Sequence, residues 1–221
     1  AFPDGPLREW QREFHLRADV FGLRYILVVE HEGQIVSSLI CTPAPVWVNG
    51  RLVSHSAVGG VGTLPEFRCK GLAGLMMTEC VRLLREEGIC LSSLWPFSYE
   101  YYRKFGWEVG CEHRSYSASS EVLAGLAEGQ GVRDASADDF PLIASAYRRF
   151  GPSYSFMTDR SHEWWLGVLR TKEQLAQDTD ESLRAVLCER DGNVAGYAVY
   201  KPQETDGKKV PYTRELMADT P

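Results

Sequence analysis

The 221-residue sequence has no CxxC pair, no HExxH motif, no GxxxxGKS/T loop and no apolar run near the roughly 18 residues a membrane-spanning helix needs. Each absence removes a class of function. The six cysteines, at positions 41, 69, 80, 90, 111 and 188, mostly sit inside apolar segments, and a chain of this length needs no disulfide scaffold, so they read as free thiols serving packing. Five scattered histidines argue against a metal site held by the protein. The N-terminus lacks a basic region followed by an apolar one, and the expected compartment is the cytoplasm. A formal charge of −6 leaves no general basic surface, so neither nucleic acid nor membrane is an expected partner.

What is present is a globular composition, 44% hydrophobic, 11% aromatic and 24% charged, at a length that fits one large domain or two small ones. The chain opens at Ala1 rather than Met and closes at Pro221 in a polar stretch, so both ends read as cuts.

Strand and turn signals begin with Arg24–Glu30, an apolar run rich in β-branched residues. A polar turn at His31–Gln34 and a second run, Ile35–Cys41, complete a hairpin. Val46–Val48, the pair Asn49-Gly50 and Arg51–Val53 predict another, because Asn-Gly tolerates the positive φ of a type I′ turn. Ser56–Leu64 reads as a strand weakened by three glycines, a pattern that marks a bulge or the close approach of a backbone or ligand. Leu72, Leu75, Met76, Cys80, Leu83 and Leu84 recur at helical spacing over Gly71–Glu87, and Gly88 is placed to stop that helix. A short strand at Ile89–Trp95, a one- to two-turn helix over Tyr99–Lys104 and a strand region at Trp107–Ala118 finish the unit.

Similar signals then recur. Val132-Arg133 reads as a short strand, Ser136–Arg149 and Ser161–Arg170 as helices, Lys172–Glu181 as a polar linker, and Arg184–Tyr200 as a hairpin turning at Arg190–Asn193. Residues 28–40 and 187–199 superpose strand on strand and turn on turn at a shift of 159 residues, with Glu30/Glu189 and Gly33/Gly192 identical. That supports a second copy of one fold; two ordinary hairpins matching by chance is the other reading.

Chemistry concentrates in Val61–Gly74. A glycine-weakened strand runs through Pro65 into a helix opening at Arg68-Cys69-Lys70-Gly71-Leu72-Ala73. First-turn N–H groups have no internal partner and carry the positive end of the helix dipole, so this corner can bind an anion. The plainer reading is a basic first turn on a surface helix. Downstream, Pro96–Trp107 carries a cluster of aromatics around a short helix.

The spacing Val61-x-Thr63-x-Pro65-x-x-Arg68-x-x-Gly71-x-Ala73 resembles the R/Q-x-x-G-x-G/A acetyl-CoA signature of the GNAT superfamily of N-acetyltransferases. Tyr102-x-x-Phe105-Gly106 resembles the Y-x-x-F-G segment of its enhanced-intracellular-survival (Eis-like) branch. The resemblance covers Leu23–Ala118 closely and Val132–Lys201 loosely. It implies an α/β (α+β) fold with a mixed, mostly antiparallel sheet flanked by helices, in an acetyl-CoA-binding domain over residues 1–120 whose first strand and helix are missing. A partial second GNAT-like domain follows over residues 131–221, stopping after its hairpin and lacking a second R/Q-x-x-G-x-G/A.

By the same resemblance the chain is an N-acetyltransferase using acetyl-CoA as co-substrate and no metal. Val61 and Thr63 contact the pantetheine arm, while Arg68, Cys69, Lys70, Gly71, Leu72, Ala73 and Gly74 cradle the pyrophosphate. Tyr102 is the general acid; a phenol of pKa about 10 is competent to protonate a thiolate whose thiol has pKa about 8.5. A tyrosine packed between helix and sheet is the plainer reading of Tyr102. The acceptor is a small-molecule or peptidyl amine: lysine, a polyamine or an aminoglycoside-like antibiotic. The branch takes its base from the C-terminal carboxylate of a third domain, for which the roughly 20 residues after the second hairpin leave no room. His55 and Glu100 are assigned solvated surface roles. Aromatics between Tyr147 and Trp165 either line an acceptor cleft or form core. The resemblance leaves open a homo-oligomer of the full-length protein. The competing functions are a non-catalytic acyl-CoA sensor or interaction module, and a site for another phosphate ligand such as a nucleotide.

Overall fold

The computed structural model describes residues 22–112, 114–118, 131–160, 184–205 and 208–218. The chain divides into two compact units, Ala1–Glu112 with Ser155–Asp159, and His113–Tyr154 with Arg160–Pro221.

In the first unit β1 (Ile26–His31) and β2 (Gln34–Pro43) form the expected hairpin. Its turn residues Glu32 and Gly33 both have positive φ, 52° and 79°, the backbone that a two-residue turn between twisted strands requires. β3 (Val46–Val48) and β4 (Arg51–Val53) flank Asn49-Gly50, whose φ values of 50° and 74° repeat that turn. β5 (His55–Thr63) pairs antiparallel with β2, and β6 (Leu91–Leu94) pairs parallel with β5, giving the sheet order β1-β2-β5-β6. β3 and β4 form a separate sheet with β8 (Met157–Thr158).

The crossover from β5 to β6 is α1 (Leu72–Glu86), which lays Met76, Met77, Cys80 and Leu84 on the sheet against Leu39, Cys41 and Val58. Leu39, Met77 and Cys80 are completely buried, and a buried side chain of the size of Leu or Met contributes about 1.5–3 kcal/mol. Leu75, expected on that stripe, is 62% exposed; Met77, two residues on, takes an inward position. Glu87 caps the C-terminal end of the helix, and Gly88 follows with φ 68°. α2 (Tyr99–Arg103) begins at Ser98, whose Oγ accepts from the Tyr101 N–H at 3.2 Å.

The expected strand at Trp107–Ala118 is absent among the described residues. Every described residue from Glu108 to Ala118 is exposed, so no apolar face exists to pair against the sheet. Glu108 instead binds the Arg103 guanidinium and accepts from the Val109 N–H, turning the chain away.

The second unit repeats the pattern. β7 (Val132–Asp134), β9 (Arg184–Arg190), β10 (Asn193–Thr205) and β11 (Lys208–Ala218) form a sheet ordered β11-β10-β9-β7, and α3 (Phe140–Phe150) packs on β10 and β11. The β9–β10 turn, Asp191 at φ 52° and Gly192 at φ 75°, matches Glu32-Gly33 at the offset seen in the sequence. This unit does not stop at its hairpin: β11 lies beside β10 as β5 lies beside β2. Its polar sequence conceals it, for only Glu215 and Met217 among residues 211–218 turn partly inward, and the ten-rung ladder to β10 makes it a strand. The expected helix at Ser161–Arg170 and linker at Lys172–Glu181 lie outside the described residues.

The fold is α/β, with mostly antiparallel sheets and one parallel pair among the described residues.

Candidate functional site

The site is built where β5 stops behaving as a regular strand. Ser38 pairs with Gly62 and Ile40 with Gly59, so Gly60 and Val61 together face Leu39 alone. This is a β-bulge, made affordable by glycine: Gly60 has φ 61°, and a Cβ there would meet the Ile40 side chain at 3.6 Å. On the other edge the parallel ladder to β6 ends at Val58↔Leu94, while β5 runs on to Thr63. Its last residues therefore present a strand edge not paired to β6. Ser37 fastens the opposite side, its Oγ donating to the Gly62 carbonyl at 2.8 Å and lying 2.7 Å from Thr63 Oγ1. Val61 packs against the same core cluster that contains Tyr102.

Beyond Thr63 the chain makes a short turn at Pro65–Phe67 and enters α1. The Arg68 guanidinium donates from Nε to the Thr63 carbonyl at 3.1 Å, stitching the loop to the strand end. Lys70 Nζ lies 4.7 Å over the Phe67 ring, whose edge meets His31. Cys69 and Gly71 both have positive φ, 59° and 80°; Gly71 is the N-cap residue and offers no side chain to the helix start. The N–H groups of Leu72, Ala73 and Gly74 thus open the helix without a side-chain cap, and the first intrahelical bond runs from the Leu75 N–H to the Gly71 carbonyl at 3.0 Å. An anion finds here aligned amides and two cationic side chains already held by neighbours.

The second motif meets the first at Gly74. A Cβ at Gly74 would stand 3.4 Å from Phe105 Cζ, so the phenyl ring of the Y-x-x-F-G segment rests on the first turn of α1. Phe105 packs at a tilt against Tyr101 at 5.4 Å between centroids, and Tyr101 meets Tyr102 edge-on at 5.2 Å. Tyr102 itself is 4% exposed and is flanked by Phe97 at 5.3 Å, a contact the sequence did not single out. Burial and the neighbouring Tyr101 hydroxyl push the Tyr102 phenol above its ordinary value, so it carries its proton across the physiological range. The Tyr101 hydroxyl and Trp107 Nε1 are buried without a hydrogen-bond partner among the described residues.

Two expectations concerning bases resolve differently. Glu100 is exposed, accepts from Ser98 Oγ at 3.0 Å, and is held below the usual carboxylate range by its backbone amide and Ser98. His55 is not solvated: it is 4% exposed, with Nδ1 2.8 Å from the Ala44 carbonyl and Nε2 2.8 Å from Ser93 Oγ. Phe156, the residue before β8, sets its ring edge-on against the imidazole at 6.5 Å. Of the later aromatics, Tyr147 and Phe150 are buried, Tyr154 and Phe156 are exposed, and Trp164 and Trp165 lie outside the described residues.

Among the described residues there is no group of three or more His, Cys, Asp or Glu side chains able to hold a metal ion. No described helix is long and apolar enough to cross a membrane.

Two family models described as acetyltransferase (GNAT) domain match the sequence, one over residues 2–110 and the other over residues 157–221. No curated protein matches. Among solved structures the chain is similar to a GCN5-related N-acetyltransferase from Anabaena variabilis (19% identity, TM-score 0.71, 100% of this chain and 53% of that one). It is also similar to Eis1 from Mycobacterium abscessus (18%, 0.66, 98% and 58%) and to a GCN5-related N-acetyltransferase from Kribbella flavida (24%, 0.72, 99% and 52%). The chain therefore spans little more than half the length of these structures. With two successive GNAT domain matches and a fold shared with these acetyltransferases along nearly its whole described length, the chain belongs to the GNAT acetyltransferase superfamily.

Proposed function

We propose that this chain is an acetyl-CoA-dependent N-acetyltransferase acting on a primary amine: a lysine side chain, a polyamine or an aminoglycoside-like acceptor. The observation that carries the reading is the bulged end of β5 leading directly into the uncapped N-terminus of α1. An extended ligand arm and its anionic end both find partners there.

The residues present suit such a co-substrate. The backbone at Val61 and Thr63 lies on the strand edge left open by β6 and is the expected partner of the pantetheine amides. Arg68, Cys69, Lys70 and Gly71, with the amides of Leu72, Ala73 and Gly74, would hold the pyrophosphate. Acetyl-CoA supplies an acyl group activated as a thioester. Backbone N–H groups of the bulged strand would favour negative charge on the thioester oxygen. Tyr102, kept protonated by burial, serves as the acid for the departing thiolate. In domain terms, residues 1–120 form the cofactor-binding unit and residues 131–221 a second GNAT-like unit without a pyrophosphate motif of its own.

Titrating acetyl-CoA while following CoA-thiol release against a panel of polyamines and aminoglycosides tests the reading. Saturable binding with amine-dependent release supports it. The depth of Tyr102, 4% exposed, favours one alternative: saturable binding without release would make the chain an acyl-CoA sensor.

A further inference from the structure

His55 is a buried imidazole for which cofactor binding and Tyr102 have no use. It opens β5, and both its ring nitrogens are engaged. The Ala44 carbonyl can only accept, so Nδ1 carries the proton and donates to it at 2.8 Å. That fixes the tautomer: Nε2 presents a lone pair and accepts from the Ser93 hydroxyl at 2.8 Å. Burial pulls the imidazole below the ordinary histidine range, and no charged neighbour contributes to that shift, so the ring is neutral near pH 7 and able to take a proton.

The location gives the pair a direction. Ser93 is the partner of Ala57 in the parallel ladder, one rung before the last pair, Val58↔Leu94, after which β5 and β6 part. Side chains alternate along a strand, so Val58, packed beneath α1, faces away from His55, Ala57 and Ser93. With α1 covering one face of the sheet, the other is the side from which an amine can reach a thioester held at the parting. On that side Phe156 closes over His55, leaving it 4% exposed, while Ser93 stays half-buried. Ser93 is thus the more exposed member of the pair.

We infer that Ser93 and His55 form a proton relay that deprotonates the acceptor amine, Ser93 touching the substrate and His55 receiving the proton behind it. The inference rests on the acetyl-transfer reading above and supplies a base from within this chain. An acceptor ammonium gives one N–H proton to Ser93 Oγ as the Ser93 proton passes to His55 Nε2. The freed nitrogen lone pair forms the N–C bond to the acetyl carbon, the C–S bond breaks, the thiolate takes the Tyr102 proton, and the newly bonded nitrogen gives its remaining excess proton to solvent. His55 is left as an imidazolium still donating to Ala44, and Tyr102 as a phenolate. Proton return from His55 to solvent and from solvent to Tyr102 restores both.

The test uses the full chain with acetyl-CoA and two acceptors, putrescine, which is protonated near neutral pH, and trifluoroethylamine, which is already largely neutral there. Ser93→Ala should lower kcat/KM for putrescine by about 100-fold while leaving trifluoroethylamine little changed. Ser93→Thr, which keeps a hydroxyl, should recover most of the loss, and acetyl-CoA binding by calorimetry should be the same in all three proteins. The wild-type kcat/KM profile for putrescine should also fall on an acid limb set by His55, whereas Ser93→Ala, dependent on the neutral amine, should keep climbing with pH toward the amine's own pKa. A structural role would depress both amines together; equal losses on the two, or none on either, overturn the relay and leave the acetyl-transfer reading standing. Wild-type protein that releases no thiol with either amine counts against both.

Discussion

Phe105 lies across the backbone of Gly74, with a Cβ built on that glycine 3.4 Å from the ring edge, so the helix start and the tyrosine-bearing segment are held together by one aromatic contact. Gly74 stands three residues past the N-cap of α1, where a first-turn amide is also open to an anion. Replacing Gly by Ala within a helix gains up to about 1 kcal/mol, and here the tight phenyl contact offsets it, so Gly74→Ala should change urea stability little. Gly74→Val should push Phe105 and the helix carrying Tyr102 outward. The expected result is a fall in kcat larger than any loss of stability, read by thiol release beside urea unfolding; unchanged turnover would detach Phe105 from the site.

Tyr102→Phe keeps the ring among Phe97, Tyr101 and the core and removes only the proton. Turnover should drop by about 100-fold or more, the usual contribution of a positioned general acid, with acetyl-CoA affinity unchanged by calorimetry. Full activity in this variant would return Tyr102 to a packing role.

His55 also leaves a mark on stability. Its folded-state pKa lies below the unfolded value of about 6.5, so at low pH the unfolded chain binds this proton more readily than the folded one. Its contribution is whole above about pH 6.5 and is lost as pH falls through the range below that. Urea midpoints measured downward from neutral pH should decline in wild type, and His55→Gln should show a shallower decline over the same window. Parallel curves would mean that the imidazole is protonated in the fold.

In the second unit Arg160 forms a two-pronged ion pair with Glu215, both side chains 17% exposed, and the Tyr197 hydroxyl donates to the same carboxylate at 2.5 Å. Arg160 also lies 3.9 Å above the Tyr147 ring. Glu215→Ala leaves a guanidinium and a buried phenol without their shared acceptor and should cost about 3 kcal/mol, with weak dependence on salt because the pair is largely out of water. Glu108→Ala, which breaks an exposed pair with Arg103, should leave the unfolding midpoint nearly unchanged. Similar losses in the two variants would contradict this ranking.

Local chemistry made much of this protein readable from its residues. Asn49-Gly50 carries its turn wherever the hairpin goes, because the positive φ it needs is a property of those two residues. The glycines of β5 announced an irregular strand, and the structure makes that irregularity the bulge at Gly60-Val61. The helical stripe of α1 and the glycine at its start were equally local, as was the spacing shared with the GNAT signature. The polar residues of β11 carried no such signal, and Trp107–Ala118, with Trp and Val among its residues, promised a strand that did not form.

Those outcomes depend on partners distant in sequence. β11 is a strand because β10 offers an unpaired edge along ten rungs, and Trp107–Ala118 is none because past Trp107 its described side chains find no buried face. His55 shows the same division. As a letter it is a polar residue before a glycine-rich strand. It becomes a buried, neutral base only when Ala44 fixes its proton, Ser93 comes up from 38 residues away and Phe156 closes from about 100 residues further along. Backbone preference and amphipathic period are written into short segments; burial, tautomer and the pairing of strand edges arise only when the chain has brought those segments together.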